Sequence, residues 1–411
     1  MKNPISLTEQ LAKHLMRPVD DATRARARLH LLDWLACVAG ARPDPKQSTS
    51  LSALSDHSLI RASWLGNVLE MDDIHRTAIL HPGPAIWPIT MRKFWAKTFD
   101  AQLDAGIRGY EAMIAIGETF DASHYAHFHN TSTAGVFGAA ATGANLLACN
   151  AHQTANALGF AGSVSGGLWQ MRHEGSDAKQ WHLLNILQTG ENAARSAGAH
   201  FEAPKQILEG PQGLYAATCR EPKPMTFPDQ WRIHEVSFKP WAACRHAHPV
   251  IDCALELRAA GKLQPPFVVE TYADAINFCD KSNPQTQVEA KFSLQHAVAV
   301  IADGRDATPA DFTQDAISAL AQLRAQVTVS EAPEITARYP AHFGARLNGL
   351  ELIDCRGDPE RPVGETEIIA KMHMLAHWGG LPAEEADRAV ELALHGDDAG
   401  AIITLLDDWL K

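Results

Sequence analysis

Four stretches of the 411-residue chain gather titratable side chains in otherwise apolar surroundings. The first is Glu70-Met71-Asp72-Asp73-Ile74-His75, followed by His81-Pro82-Gly83. Adjacent carboxylates repel unless hydrogen bonds or cations hold them, so Asp72 and Asp73 either find such partners or cap a helix end. The second, His124 to Thr133, runs into the glycine-rich Ala134–Gly143. Its Asn130, Thr131, Ser132 and Thr133 stand where a helix begins, and either cap it or leave its N–H groups to an anion. The third, Glu174 to His182, carries Lys179 and His182 three residues apart, on one face of a helix, aimed into a site or solvated. The fourth, Phe238 to Pro249, packs Lys239, Arg245, His246 and His248 into a cationic knot. Carboxylate recognition uses this composition, with arginine for bidentate pairing and lysine as a point charge.

A zinc site is the rival reading, through His124-x-x-His127-x-His129 and Cys244-x-His246-x-His248 with Asp72 and Asp73. No H-E-x-x-H run is present, and the neighbouring Lys and Arg side chains repel a divalent cation. The net charge of −12 argues against nucleic acid and anionic lipid as partners. It leaves room for an anionic small molecule, because a few local cations outweigh a distant acidic surface. Met1-Lys2-Asn3-Pro4-Ile5 lacks the apolar run of a signal peptide, and nowhere does the chain approach the ~20 apolar residues of a membrane span. Seven scattered cysteines without a C-x-x-C pair read as reduced thiols in a cytoplasmic protein.

The elements that must position these residues divide into two kinds. A chain of 411 residues exceeds one compact core and predicts two domains. Ser6-Leu7-Thr8-Glu9 fits a capping box opening a helix with Leu11, His14 and Leu15 on one side. Arg24–Ala39 continues as a helix with a stripe through Leu29, Leu32, Leu35 and Ala36, and 41–58 reads as a loop with a short helix. From 101 to 200 helix follows helix. Glycines inside Ala134–Gly143 cost ~1 kcal/mol each relative to alanine, which predicts close approach of neighbouring helices to offset them. After Pro265-Pro266 the pattern alternates as in strands at 267–272, 326–330 and 345–352, the last turned at Asn348-Gly349, with a helix over 310–324 between them. Helices return from Glu365 to Lys411. The reading is a mainly α protein with an inserted α+β domain. Residues 1–238 and 365–411 form the helical domain and 239–364 the insertion.

In this order the segments resemble the MmgE/PrpD family, which includes 2-methylcitrate dehydratases, cis-aconitate decarboxylases and an iminodisuccinate epimerase. The likeness covers nearly the whole chain. It runs through Leu32-Asp33-Trp34-Leu35-Ala36-Cys37, Asp72-Asp73 to His81-Pro82-Gly83, and His129 to Gly138-Ala139-Ala140. It continues through Ile207-Leu208-Glu209-Gly210-Pro211-Gln212-Gly213, Phe238-Lys239-Pro240 with Cys244-Arg245, Lys291-Phe292-Ser293-Leu294, and Gly357-Asp358-Pro359 with Pro362. The resemblance implies a large helical domain, a smaller α+β lid, a homodimer and a site between the domains. It implies catalytic roles for His81, His129, Lys179, Lys239 and Asp73. Substrate contacts are implied for Glu70, Asp72, Ile74, His182, Cys244, Arg245, His248 and His296.

The implied chemistry is removal of a proton next to a carboxylate of a small polycarboxylate, with no metal or organic cofactor. Histidine suits the base, which predicts loss of activity below about pH 6, and the cations blunt the developing negative charge. The chain departs from the family at several points. The family's usual Asp-Phe-Asp-Asp-Thr-His run is Glu70-Met71-Asp72-Asp73-Ile74-His75 here. His296 stands where relatives often have Tyr, Cys244 where the decarboxylases have His, and the stretch between 41 and 62 is short. These departures weigh against 2-methylcitrate dehydratase proper and weigh more heavily against decarboxylation. They leave a dehydratase-type lyase as the first reading, an epimerase or isomerase as the second, and a non-catalytic carboxylate binder as the third.

Overall fold

A computed structural model describes residues 5–43, 58–92, 98–174 and 176–410. The expected short helix in the 41–58 loop falls largely on 44–57, outside the described residues. The chain divides into two compact units. Unit 1 comprises residues 1–68, 73–236 and 368–411, and unit 2 comprises 69–72 and 237–367.

Unit 1 is helical. Helix α1 (Leu7–His14) opens with the capping box, in which Glu9 N–H donates to Ser6 Oγ at 3.2 Å and Ser6 N–H to Glu9 Oε2 at 3.0 Å. Then follow α2 (Asp21–Gly40), α3 (Ser58–Val68), α4 (Gly83–Thr90), α5 (Phe99–Gly117), α6 (Ala122–His127), α7 (Asn130–Leu146), α8 (Ala151–Ser163) and α9 (Ala178–Gly198). Helix α7 is buried nearly all round, with α5, α8 and α9 packed on it. Small residues make this possible. A Cβ at Gly138 would sit 2.8 Å from the Gly109 carbonyl, and one at Gly190 of α9 would sit 2.2 Å from Ala139 Cβ. The helix-forming energy given up at such glycines is returned as dispersion contact between closely spaced backbones.

Unit 2 is built on a four-stranded mixed sheet of order β2-β1-β3-β4. Strand β1 (Phe267–Thr271) pairs in parallel with β2 (Val327–Glu331), Phe267 opposite Val327, and antiparallel with β3 (Ala345–Leu347), Val269 opposite Leu347. Strands β3 and β4 (Leu350–Leu352) form a hairpin turned at Asn348 (φ 47°) and Gly349 (φ 86°), the pair of positive φ values a type I′ turn requires. Helix α10 (His248–Ala259) lies against β3, β4 and α11 (Leu294–Ala302). A continuous helix over 310–324 does not form. Pro309–Phe312, Gln314–Ala319 and Ala321–Arg324 are separate pieces, with Thr308 and Thr313 each opening a new one.

Helices α12 (Glu365–Trp378), α13 (Ala383–Val390) and α14 (Ala399–Trp409) bring the chain back to unit 1. There Lys371 reaches α2 and donates to the buried Asp33 at 2.6 Å. Among the described residues no helix is long and apolar enough to cross a membrane.

Candidate active site

Unit 1 draws His81, His129, Lys179 and His182 to the first turn of α7. Its N-cap is His129, whose side chain makes no capping bond and whose N–H donates to the Gly167 carbonyl at 2.9 Å. The polar residues expected to cap are employed otherwise. Asn130 Nδ2 donates to the Ala78 carbonyl at 2.9 Å, Thr131 Oγ1 accepts the His81 N–H at 3.1 Å, and Thr133 Oγ1 donates to the Gly166 carbonyl at 3.2 Å. The turn therefore stitches the loop bearing His81 and the loop at 166–167 onto one helix start.

His129 Nδ1 lies 3.0 Å from His182 Nδ1. Two neutral imidazoles joined through Nδ1 must take opposite tautomers. One ring donates from Nδ1 and keeps a lone pair on Nε2; the other accepts at Nδ1 and carries its proton on Nε2. The pair thus presents one base and one acid. Its ring centroids are 5.3 Å apart, so the rings extend outward from their shared bond and do not face each other.

Gly167 (φ +108°) fixes both histidines. Its carbonyl holds the His129 backbone, and a Cβ there would fall 2.3 Å from Ser132 Oγ and 3.3 Å from His182 Cε1. Burial first, and then the charges of His182, Lys179, His81 and Arg172, push the His129 pKa well below the ordinary histidine value. Burial lowers that of His182 as well.

Asp73 is a hub of hydrogen bonds inside unit 1. It accepts from His30 Nδ1 and the Tyr110 hydroxyl, both at 2.7 Å, and from the Gly83 N–H at 2.8 Å. This geometry makes it an anchor for α2, α5 and the start of α4. Ile74 beside it is buried. His75 approaches Glu235 at 3.5 Å and Glu118 at 3.9 Å, a trio of metal-ligand types. Its Nδ1, however, accepts the Ala78 N–H at 3.3 Å, which puts the ring proton on Nε2, toward the carboxylates. Arg232 also pairs with Glu118 at 2.9 Å. Arg232 and the His75 Nε2–H thus face the two carboxylates.

In unit 2 the cationic knot comes apart. Lys239, fully buried, pairs with Glu70 at 3.5 Å. Glu70 holds φ 58°, a conformation costly for a residue with a Cβ and concentrated at functional sites. Asp72 is buried in the same short segment. Arg245 is ion-paired with the buried Asp358. Burial works against its charge, but Asp358 beside it holds the guanidinium pKa above the ordinary value. His248 accepts from Arg245 at 3.4 Å and donates to the Ala243 carbonyl at 3.2 Å. His296 donates to the Asp311 carbonyl at 2.8 Å, and burial takes its pKa down to about 4. Cys244 is buried with its thiol against that of Cys279. Arg245, His248 and His296 thus each have a partner inside the unit.

The His-rich runs of the zinc reading also separate. His124 stacks on Phe120 with centroids 3.8 Å apart and bonds Thr218, and His127 is exposed. His246 bonds the Tyr272 hydroxyl at 2.8 Å.

Residues 60–226 match the MmgE/PrpD N-terminal domain and residues 241–396 the MmgE/PrpD C-terminal domain. The chain belongs to the MmgE/PrpD family. No curated protein matches the chain significantly. Members of the MmgE/PrpD family are typically lyases or dehydratases, and membership supports a dehydratase-type or related function.

Against this MmgE/PrpD framework, sequence reasoning passed over one group of residues. Trp169 packs on His129 with centroids 4.5 Å apart, and Arg172 lies 3.8 Å above the Trp169 ring and 4.9 Å from that of Tyr125. The signal available was Gly166-Gly167 just before Trp169, a turn delivering an aromatic residue to the site.

Proposed function

We propose that the chain is a cofactor-independent hydro-lyase of the 2-methylcitrate dehydratase type, acting on a small polycarboxylate. The observation that carries this reading is the pairing of buried His129 with half-buried His182, with Lys179 and His81 beside them. The ring with the free Nε2 lone pair takes a proton from the carbon next to a carboxylate. The C–H electrons form the new C=C bond as the C–O bond to the hydroxyl on the adjacent carbon breaks. His81, beside the pair, protonates that hydroxyl, which leaves as water. As that ring gains a proton at Nε2, its Nδ1 proton shifts toward the partner's Nδ1, so the pair shares the charge until a proton returns to solvent. Lys179 holds a substrate carboxylate and counters the charge that builds on it. Lys239 keeps the catalytic role that the family resemblance implies.

A homodimer is part of the reading, supported by the apolar Val164, Leu168 and Trp181, all more than half exposed.

The test is incubation of the metal-free protein with 2-methylcitrate, citrate, malate and iminodisuccinate in heavy water, followed by NMR and mass spectrometry. Water loss to an alkene, with deuterium entering next to a carboxylate in the reverse direction, is expected. Deuterium uptake without water loss would move the reading to an epimerase, and no exchange in any compound would leave a binding protein.

The depressed pKa of His129 also sets the pH response. A lowered pKa keeps the base neutral further into acid. The acid limb of kcat/KM should therefore fall below the ordinary histidine value of 6.5, and lower than an unperturbed histidine predicts. A limb at or above 6.5 in a pH–rate profile would exclude His129 as that base.

A further inference from the structure

Lys179 and Arg172 are the two permanent cations among the groups that bear most strongly on His129. Cations placed beside a base are suited to hold the carboxylates of a substrate whose proton that base removes. Lys179 is already assigned to one substrate carboxylate under the reading above. Arg172 has been given no task.

Its setting is a built one. Arg172 ends the short helix Trp169–Arg172, which follows the Gly167 turn. Its guanidinium carbon stands 3.8 Å over the Trp169 ring and 4.9 Å from the Tyr125 ring, and these two rings meet edge to face with centroids 6.1 Å apart. The same indole packs on His129 at 4.5 Å. One aromatic side chain therefore fixes both the base and the cation, and their separation is set by a rigid ring. Stacking engages the face of a guanidinium, whereas carboxylate recognition uses N–H groups in its plane, so one side chain can do both.

We propose that Arg172, clamped by Trp169 and Tyr125, is a substrate-binding residue. It takes a second carboxylate beside His129 and thereby selects di- and tricarboxylates over monocarboxylates. This rests on the reading of His129 as part of the reacting pair. With Lys179 on one carboxylate and Arg172 on another, the substrate must carry at least two carboxylates near the carbon that loses its proton. Lysine would not replace Arg172, because an ammonium offers neither the planar stack nor the bidentate fork.

Calorimetric titration of the full chain with the unreactive tricarballylate and with butyrate tests this, using wild type, Arg172→Gln and Arg172→Lys. The proposal expects wild type to bind tricarballylate well and butyrate weakly. Arg172→Gln should lose about ten- to a hundredfold in affinity for tricarballylate, the range of hydrogen bonds to a charged group, with butyrate unchanged. Arg172→Lys should fall between them. In the same variants, histidine NMR should show the His129 titration moving up in Arg172→Gln and staying near wild type in Arg172→Lys, which checks that the cation bears on the base, while the split between tricarballylate and butyrate is what a purely structural arginine would not give. A folded Arg172→Gln or Arg172→Lys protein that binds tricarballylate as tightly as wild type overturns the assignment of Arg172 while leaving the histidine pair standing. Should wild type bind no polycarboxylate, the substrate reading and this inference fall together.

Discussion

Replacing His129 by glutamine is expected to lower kcat about a hundred- to ten-thousandfold, the span of a positioned proton-transfer group, with the protein still folded. Glutamine fills much of the same volume and can still bond His182, but it has no basic nitrogen. Steady-state rates, thermal unfolding and deuterium exchange into substrate, measured together, check the result. Loss of both water elimination and exchange assigns the base to His129. Exchange that survives while elimination is slowed assigns the base to His182, the other ring of the pair. A normal rate in a folded variant would remove the pair from the chemistry.

Asp73→Ala should act in the opposite way, costing about 3–5 kcal/mol of stability and little of the chemistry that remains in folded protein. The carboxylate is the common acceptor for His30, Tyr110 and the Gly83 N–H, all in the interior of unit 1. Removing it strands three buried donors at once. Neutral His30, its pKa held far down by burial and then by Arg26, cannot compensate by changing charge. Denaturant unfolding reads the loss directly. Were Asp73→Ala as stable as wild type yet inactive, Asp73 would be a reacting group, as family resemblance alone suggests.

Lysine 179 and His182 show how far spacing carries a site. Three residues apart in a helix, they were bound to share a face, and on α9 both bear on His129. Spacing does not reveal that the other side of that contact is the first turn of α7. Nor does it reveal that Asn130, Thr131 and Thr133 tie down loops in preference to capping. Arg245, His248 and His296 illustrate the converse. A local window counts their positive charge, but Asp358 and the carbonyls of Ala243 and Asp311, which absorb it, come from the fold.

By itself the sequence determined what depends on near neighbours. The Ser6–Glu9 box, the Asn348-Gly349 hairpin, the small-residue packing of α7 and the helical-plus-mixed-sheet character all follow from propensity and period. Only the tertiary structure decided which polar side chains are used up inside the fold and which converge. That outcome depends on burial and on partners far apart in the chain. A charge is expensive in an interior unless a particular atom meets it, and the identity of that atom is fixed by packing and not by order along the backbone.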